Sequence, residues 1–169
     1  MTHEAHKLGR IVAAHTAPAF GVNLALRGGV DTVEHGSDLD TESIAPFLET
    51  GATLVPMLSV SHHQIAHEDV GRADPVFREF SLRRWDRVRH NVRRAHEAGV
   101  RIATGTDPVI LGMEYRTELE LLVECGLSPA VAGSVGWRRD SGGVGPVIAA
   151  RRRAMIFFRS CTARSKRNR

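Results

Sequence analysis

Residues 11–40 read IVAAHTAPAFGVNLALRGGVDTVEHGSDLD, and this stretch holds two strand–helix steps. Ile11–Thr16 is a short run of apolar and small residues, a strand with His15 at its end. Ala19–Leu26 suits a helix and stops at Gly28-Gly29, where a left-handed turn meets no Cβ. Thr32–His35 (TVEH) is a second strand, closed by Gly36. A crossover helix between two strands predicts parallel pairing, because a tight hairpin can join only antiparallel neighbours.

The rhythm continues on both sides. Glu4–Leu8 reads as the end of a helix closed by Gly9. Asp40 or Thr41 can cap a helix running to Thr50, with Gly51 after it. Thr53–Val60 (TLVPMLSV) is a third strand, in which Pro56 predicts an irregular or terminal position. A polar loop is expected over Ser61–Asp74. Pro75–Ala98 is a long amphipathic helix with Leu82, Trp85, Val88 and Val92 at helical spacing. Arg101–Thr106 (RIATGT) is a fourth strand, and Glu114–Cys125 a last helix ended by Gly126. The fold class is therefore α/β, with four strand–helix units over residues 1–129.

Beyond Pro129 neither period persists. Residues 130–169 carry ten of the 23 basic side chains and one of the 19 acidic ones. The first 129 residues are thus net acidic, about −5, and the remainder about +9. This tail reads as disordered or aberrant, with the texture of an out-of-frame C-terminus. Its AMIFF segment could form a strand, but no flanking element offers a pairing partner. A tail binding nucleic acid is the weaker reading, because the basicity is confined to it.

Composition bounds the rest. Hydrophobic residues make up 42% of 169, enough for a core. No apolar run is long enough to span a membrane. The start, MTHEAHKLGR, has no apolar signal region. The two cysteines, Cys125 and Cys161, form neither a CxxC pair nor a disulfide framework. A cytoplasmic location is expected.

In parallel barrels, reactive groups sit at the C-terminal ends of strands, where the strand-to-helix loops form the active face. Three ligand-type residues occupy that place here: His15, His35 and Asp107. Neutral imidazole and carboxylate are good ligands for Zn²⁺, and also for Mn²⁺, Fe²⁺ and Co²⁺. A water on such an ion has its pKa lowered to about 7, and a nearby carboxylate can move its proton. A single strand-end histidine is more often a structural residue. Three in equivalent positions point to a divalent-metal site, with zinc as the first candidate.

The segments VAAHTAPAFGVNLALRGGVDTVEHGSDLD, ATLVPMLSV and AHEAGVRIATGTDP resemble the amidohydrolase superfamily, in the branch of imidazolonepropionase-like and prolidase-like enzymes. The resemblance covers residues 4 to 129. It implies a partial (β/α)8 TIM barrel, strands five to eight with their helices. His15 matches the strand-five metal ligand, His35 the strand-six ligand, and Asp107 the strand-eight aspartate that binds metal and handles the proton. The implied reaction is hydrolysis of an amide, cyclic amide or dipeptide C–N bond by metal-activated water. The family's HxH pair and its bridging residue belong to strands one to four and have no counterpart here. The alternative reading is a catalytically inactive half-barrel that associates through exposed sheet edges, so self-association is one expectation. The other expected partner is a small-molecule amide or peptide.

His62, His63 and His67 are weaker substrate-pocket candidates in the loop after the third strand. His3, His6, His90 and His96 are expected on exposed helix faces. Arg83, Arg84, Arg87, Arg93 and Arg94 are expected on the outer face of the long helix, and Trp85 as a core or interface anchor. Glu34, preceding His35 on a strand, should point away from it and be structural. Thr104 and Thr106 flank the turn before Asp107. Met113, Glu114 and Tyr115 fall in the last loop.

Overall fold

The computed structural model describes residues 1–66, 75–107, 115–134 and 156–159. Strands β1 (Val12–Pro18), β2 (Thr32–Asp38), β3 (Thr53–Val55), β4 (Arg101–Ile102) and β5 (Ile156–Arg159) form one sheet in the order β4-β3-β2-β1-β5. Every pairing is parallel. From β1 to β4 each strand lies beside the next in sequence. That steady progression is how a barrel wall grows, whereas a doubly wound sheet reverses its order. The helices are α1 (Thr2–Lys7), α2 (Ala19–Arg27), α3 (Ile44–Thr50), α4 (Leu58–Ala66), α5 (Pro75–Glu97), α6 (Tyr115–Glu124) and α7 (Pro129–Ser134). None of them is long and apolar enough to cross a membrane.

Two clusters make the core. Val12 and Ala14 of β1, Val33 of β2 and Leu54 of β3 pack against Val22 and Leu26 of α2, Phe47 of α3 and Ala95 of α5. Fully burying such side chains contributes about 1.5–3 kcal/mol each. The second cluster joins Leu58, Trp85, Val88, Val92, Leu121 and Leu122 beneath β4. Trp85 is a core residue, as its helical spacing predicts.

Several elements differ from the sequence expectation: β1 and β2 run on to Pro18 and Asp38, past Thr16 and His35, and β4 stops at Ile102, short of Thr106. The third strand stops at Val55 rather than Val60: Pro56 offers no N–H to a ladder, and Met57 turns the chain with φ 51°. Where a polar loop was expected from Ser61, the chain is helical to Ala66. The N-terminus of α4 is held by Glu118, whose carboxylate accepts from the backbone N–H of Leu58 (2.9 Å) and of Ser59 (2.7 Å). Residues 156–159 do find a partner, lying parallel to β1 with Val12 opposite Ile156.

The cap before α3 is Asp40, which accepts from the Ser43 backbone N–H at 2.8 Å. Helix α5 is fixed to the end of β2 by two side chains. Asn91 donates to the Ser37 carbonyl at 3.0 Å, and Arg87 donates to Asp38 at 3.2 Å. These contacts set the level at which the site sits.

Candidate metal centre

On β1, Val12 and Ala14 face the helices, so alternation puts Ala13 and His15 on the opposite face. His15 is opposite Glu34 in the parallel register, and residues paired in this way share a face. Glu34 is therefore on the His15 side of the sheet. Strict alternation would send His35 to the helix side. It does not, because His35 has φ 70° and Gly36 has φ 53°, two successive left-handed residues. A Cβ on Gly36 would lie 2.8 Å from Leu54 Cδ1, so glycine is required there for space as well as for φ. The ring of His35 thereby reaches His15, with centroids 4.4 Å apart and planes at 68°.

Asp107 arrives from the segment after β4. Gly105 brings this segment against β3: a Cβ there would lie 2.7 Å from Val55 Cγ1. The Thr104 hydroxyl is 2.7 Å from the Tyr115 hydroxyl, tying the segment to the start of α6. Asp107 has φ 41° and places Oδ2 at 3.5 Å from His35 Nε2. One donor atom from each of His15, His35 and Asp107 lies within 4.8 Å of the others. All three sequence-predicted residues are thus brought together, His15 and His35 from within β1 and β2 and Asp107 from the segment that follows β4.

The electrostatics suit a cation. Burial, with the His15 imidazole beside it, holds His35 down at about 4, although Asp107 pulls the other way. A neutral imidazole with a free lone pair is what a metal requires of a histidine. Glu34 is buried, and burial raises its pKa; a 2.7 Å bond from the Thr32 hydroxyl opposes the rise, and the charge of Asp107 adds to it. The expectation that Glu34 points away from the site is corrected by the left-handed turn at His35.

The weaker candidates do not join the cluster. His62 and His63 are on α4, and the His62 ring lies 5.5 Å from Trp85. His67, Met113 and Glu114 lie outside the described residues. Thr106 is half-buried beside Asp107. Arg84, expected on the outer face of the long helix, is half-buried, and its charge acts on His35.

No family model matches the chain. Over 103 residues it is 32% identical to an uncharacterized protein of Mycobacterium tuberculosis, which takes in 61% of this chain and 28% of that protein. Among solved structures it is similar to a Xaa-Pro dipeptidase with methionine bound in its active site (27% identity, TM-score 0.68, 80% of this chain and 34% of that one). It is also similar to the A. niger ochratoxinase (30% identity, TM-score 0.69, 78% and 30%). A third likeness is to a Bifidobacterium longum protein described as a prolidase (38% identity, TM-score 0.68, 80% and 36%). The chain spans about a third of the length of these solved structures. Its parallel α/β sheet matches part of their fold.

Proposed function

We propose, from the chain's relationship to the amidohydrolase superfamily, that it supplies strands five to eight of a hydrolase barrel and holds a divalent metal ion there. The observation that carries this reading is the convergence of His15, His35 and Asp107 donor atoms within 4.8 Å. Two ligands about 2.0–2.1 Å from one tetrahedral zinc ion stand roughly 3.3 Å apart. The donor atoms, within 4.8 Å of one another, would close on one ion by side-chain rotation. The His₂Asp donor set fits zinc first, and manganese, iron or cobalt as well.

A divalent ion held at this site supplies an activated water and polarises the bond to be cleaved. The chain's own residues do the rest. His35, neutral at physiological pH, keeps a lone pair for the ion. Asp107 has a partly exposed carboxylate, so it can take a proton from water on one oxygen and return it to the leaving nitrogen. The bond class is an amide, cyclic amide or dipeptide C–N bond. The dipeptidase neighbour supports the dipeptide end of that range.

A second reading is favoured by the sheet itself, which among the described residues has β4 and β5 as unpaired edges. An open edge invites pairing, so the chain can be an inactive half that associates with another sheet. Metal content and hydrolysis of Xaa-Pro dipeptides, measured on the purified chain, separate the two. Stoichiometric metal, lost in His15→Ala and His35→Ala, with turnover supports the hydrolase. Metal without turnover supports the inactive half. Equal metal in the wild type and in a variant lacking all three residues overturns the site.

A further inference from the structure

Helix α5 meets β2 along one face. Asn91 bonds the carbonyl of Ser37, and Arg87 bonds Asp38, so moving toward the N-terminus of the helix moves past the C-terminal end of the strand. Arg84, Arg87 and Asn91 stand at i, i+3 and i+7 and share that face. Arg84 is therefore one turn beyond Arg87, about 4.5 Å further along the axis, over the end of the strand from which His35 turns inward.

Three of the other arginines of α5 have carboxylate partners. Arg83 pairs with Glu79, Arg87 with Asp38, and Arg89 with Asp86. Arg84 is half-buried and, among the described residues, has no carboxylate partner. A cation withdrawn from water without a counter-charge is costly, and the cost falls when an anion arrives. A guanidinium is also the side chain best shaped for a carboxylate, through two parallel N–H···O bonds.

We propose that Arg84 is a specificity-determining residue that binds a carboxylate of the substrate, so that the amide cleaved is that of an N-acyl amino acid or a peptide's C-terminal residue. The inference rests on the hydrolase reading above and names its substrate class. It makes neutral amides, cyclic amides without an acidic group, and ureides poor ligands.

The test uses levulinate and levulinamide, non-hydrolysable ketone isosteres of N-acetylglycine and its amide. Each is titrated by NMR into the full chain with zinc. The wild type is expected to bind levulinate about tenfold more tightly than levulinamide, the usual worth of one charge-assisted pair. Arg84→Met should abolish that preference and Arg84→Lys should keep part of it. Undetectable levulinate binding, no preference in the wild type, or a preference that survives in Arg84→Met overturns the proposal. Zinc uptake by the same samples is measured in parallel. Zinc bound without a carboxylate preference defeats the role of Arg84 alone. An Arg84-dependent preference without zinc uptake defeats the metal reading and leaves the anion site standing.

Discussion

His35 Nε2 lies 3.5 Å from Asp107 Oδ2, and both residues reach that position with left-handed backbones, φ 70° and 41°. Non-glycine residues in that region cost about 1–3 kcal/mol each and persist only when the surroundings hold them there. Asparagine tolerates this conformation as aspartate does. Asp107→Asn should therefore keep stability within about 1 kcal/mol of the wild type. Zinc affinity, measured against a chromogenic chelator, should fall by about tenfold to a hundredfold or more. Unchanged affinity would remove Asp107 from the site.

Gly36 tests the turn itself. Alanine there would meet Leu54 Cδ1 at 2.8 Å and would have to hold φ 53°. The expected loss for Gly36→Ala is about 1–3 kcal/mol in urea unfolding, with weaker zinc binding because His35 is displaced. A stable Gly36→Ala variant that binds zinc normally would mean that the double left-handed turn does not position His35.

The nearness of His15, His35 and Asp107 was legible in the sequence because it needs only the strand–helix rhythm and the glycines that punctuate it. The route by which His35 enters the site was not. Alternation alone predicts that Glu34 and His35 point apart, and only a left-handed non-glycine residue, held by packing around Gly36, brings His35 to the side that Glu34 already shares with His15. The start of α4 was hidden for a different reason: its N-terminal N–H groups are satisfied by Glu118, 60 residues beyond Leu58. Arg84 shares its charge and spacing with its neighbours on α5, so the sequence pattern could not single it out. Only the Arg87–Asp38 and Asn91–Ser37 contacts fix its level relative to β2. The pairing of residues 156–159 with β1 joins opposite ends of the chain, beyond the reach of local pattern.

The metal-free chain should lose stability in acid through His35. Its pKa is lowered from 6.5 to about 4, chiefly by burial and then by His15. The folded state thus resists a proton that the unfolded state accepts. The stability is present above about pH 6.5 and is lost as the pH falls through about 4. The gap corresponds to at most about 3 kcal/mol. Urea unfolding at about pH 7 and about pH 4.5 should show a larger drop for the wild type than for His35→Asn, which cannot titrate. Equal drops would mean that His35 is not held neutral by the fold.

Glu118 is fully buried and accepts from two backbone N–H groups at the start of α4. Glutamine would keep the shape but turn an NH₂ group toward one of those donors. Glu118→Gln should cost about 1–3 kcal/mol, and Glu118→Ala more, since both N–H groups and a cavity are left behind. Hydrogen exchange should localise the loss to Leu58 and Ser59. Protection unchanged at those two amides would show that Glu118 is not the cap.

Self-association should run through α2 as well as through the open sheet edges. Phe20 and Leu24, one turn apart, are 70% and 67% exposed, and Met1, which lines the same cavity, is 81% exposed. Phe20, Leu24 and Met1 also line a cavity of about 380 Å³ between α2 and β1, with Ala14 and Val30 at its wall. Contiguous apolar surface of this kind marks a place where another surface packs. Replacing exposed side chains changes stability by about 0.5 kcal/mol or less, so Phe20→Glu with Leu24→Lys should leave the melting temperature nearly unchanged. Light scattering after size exclusion should show the variant shifted toward monomer. If its mass distribution matched the wild type's, association would have to be assigned to the β4 and β5 edges, where backbone N–H and C=O groups rather than apolar side chains make the contact.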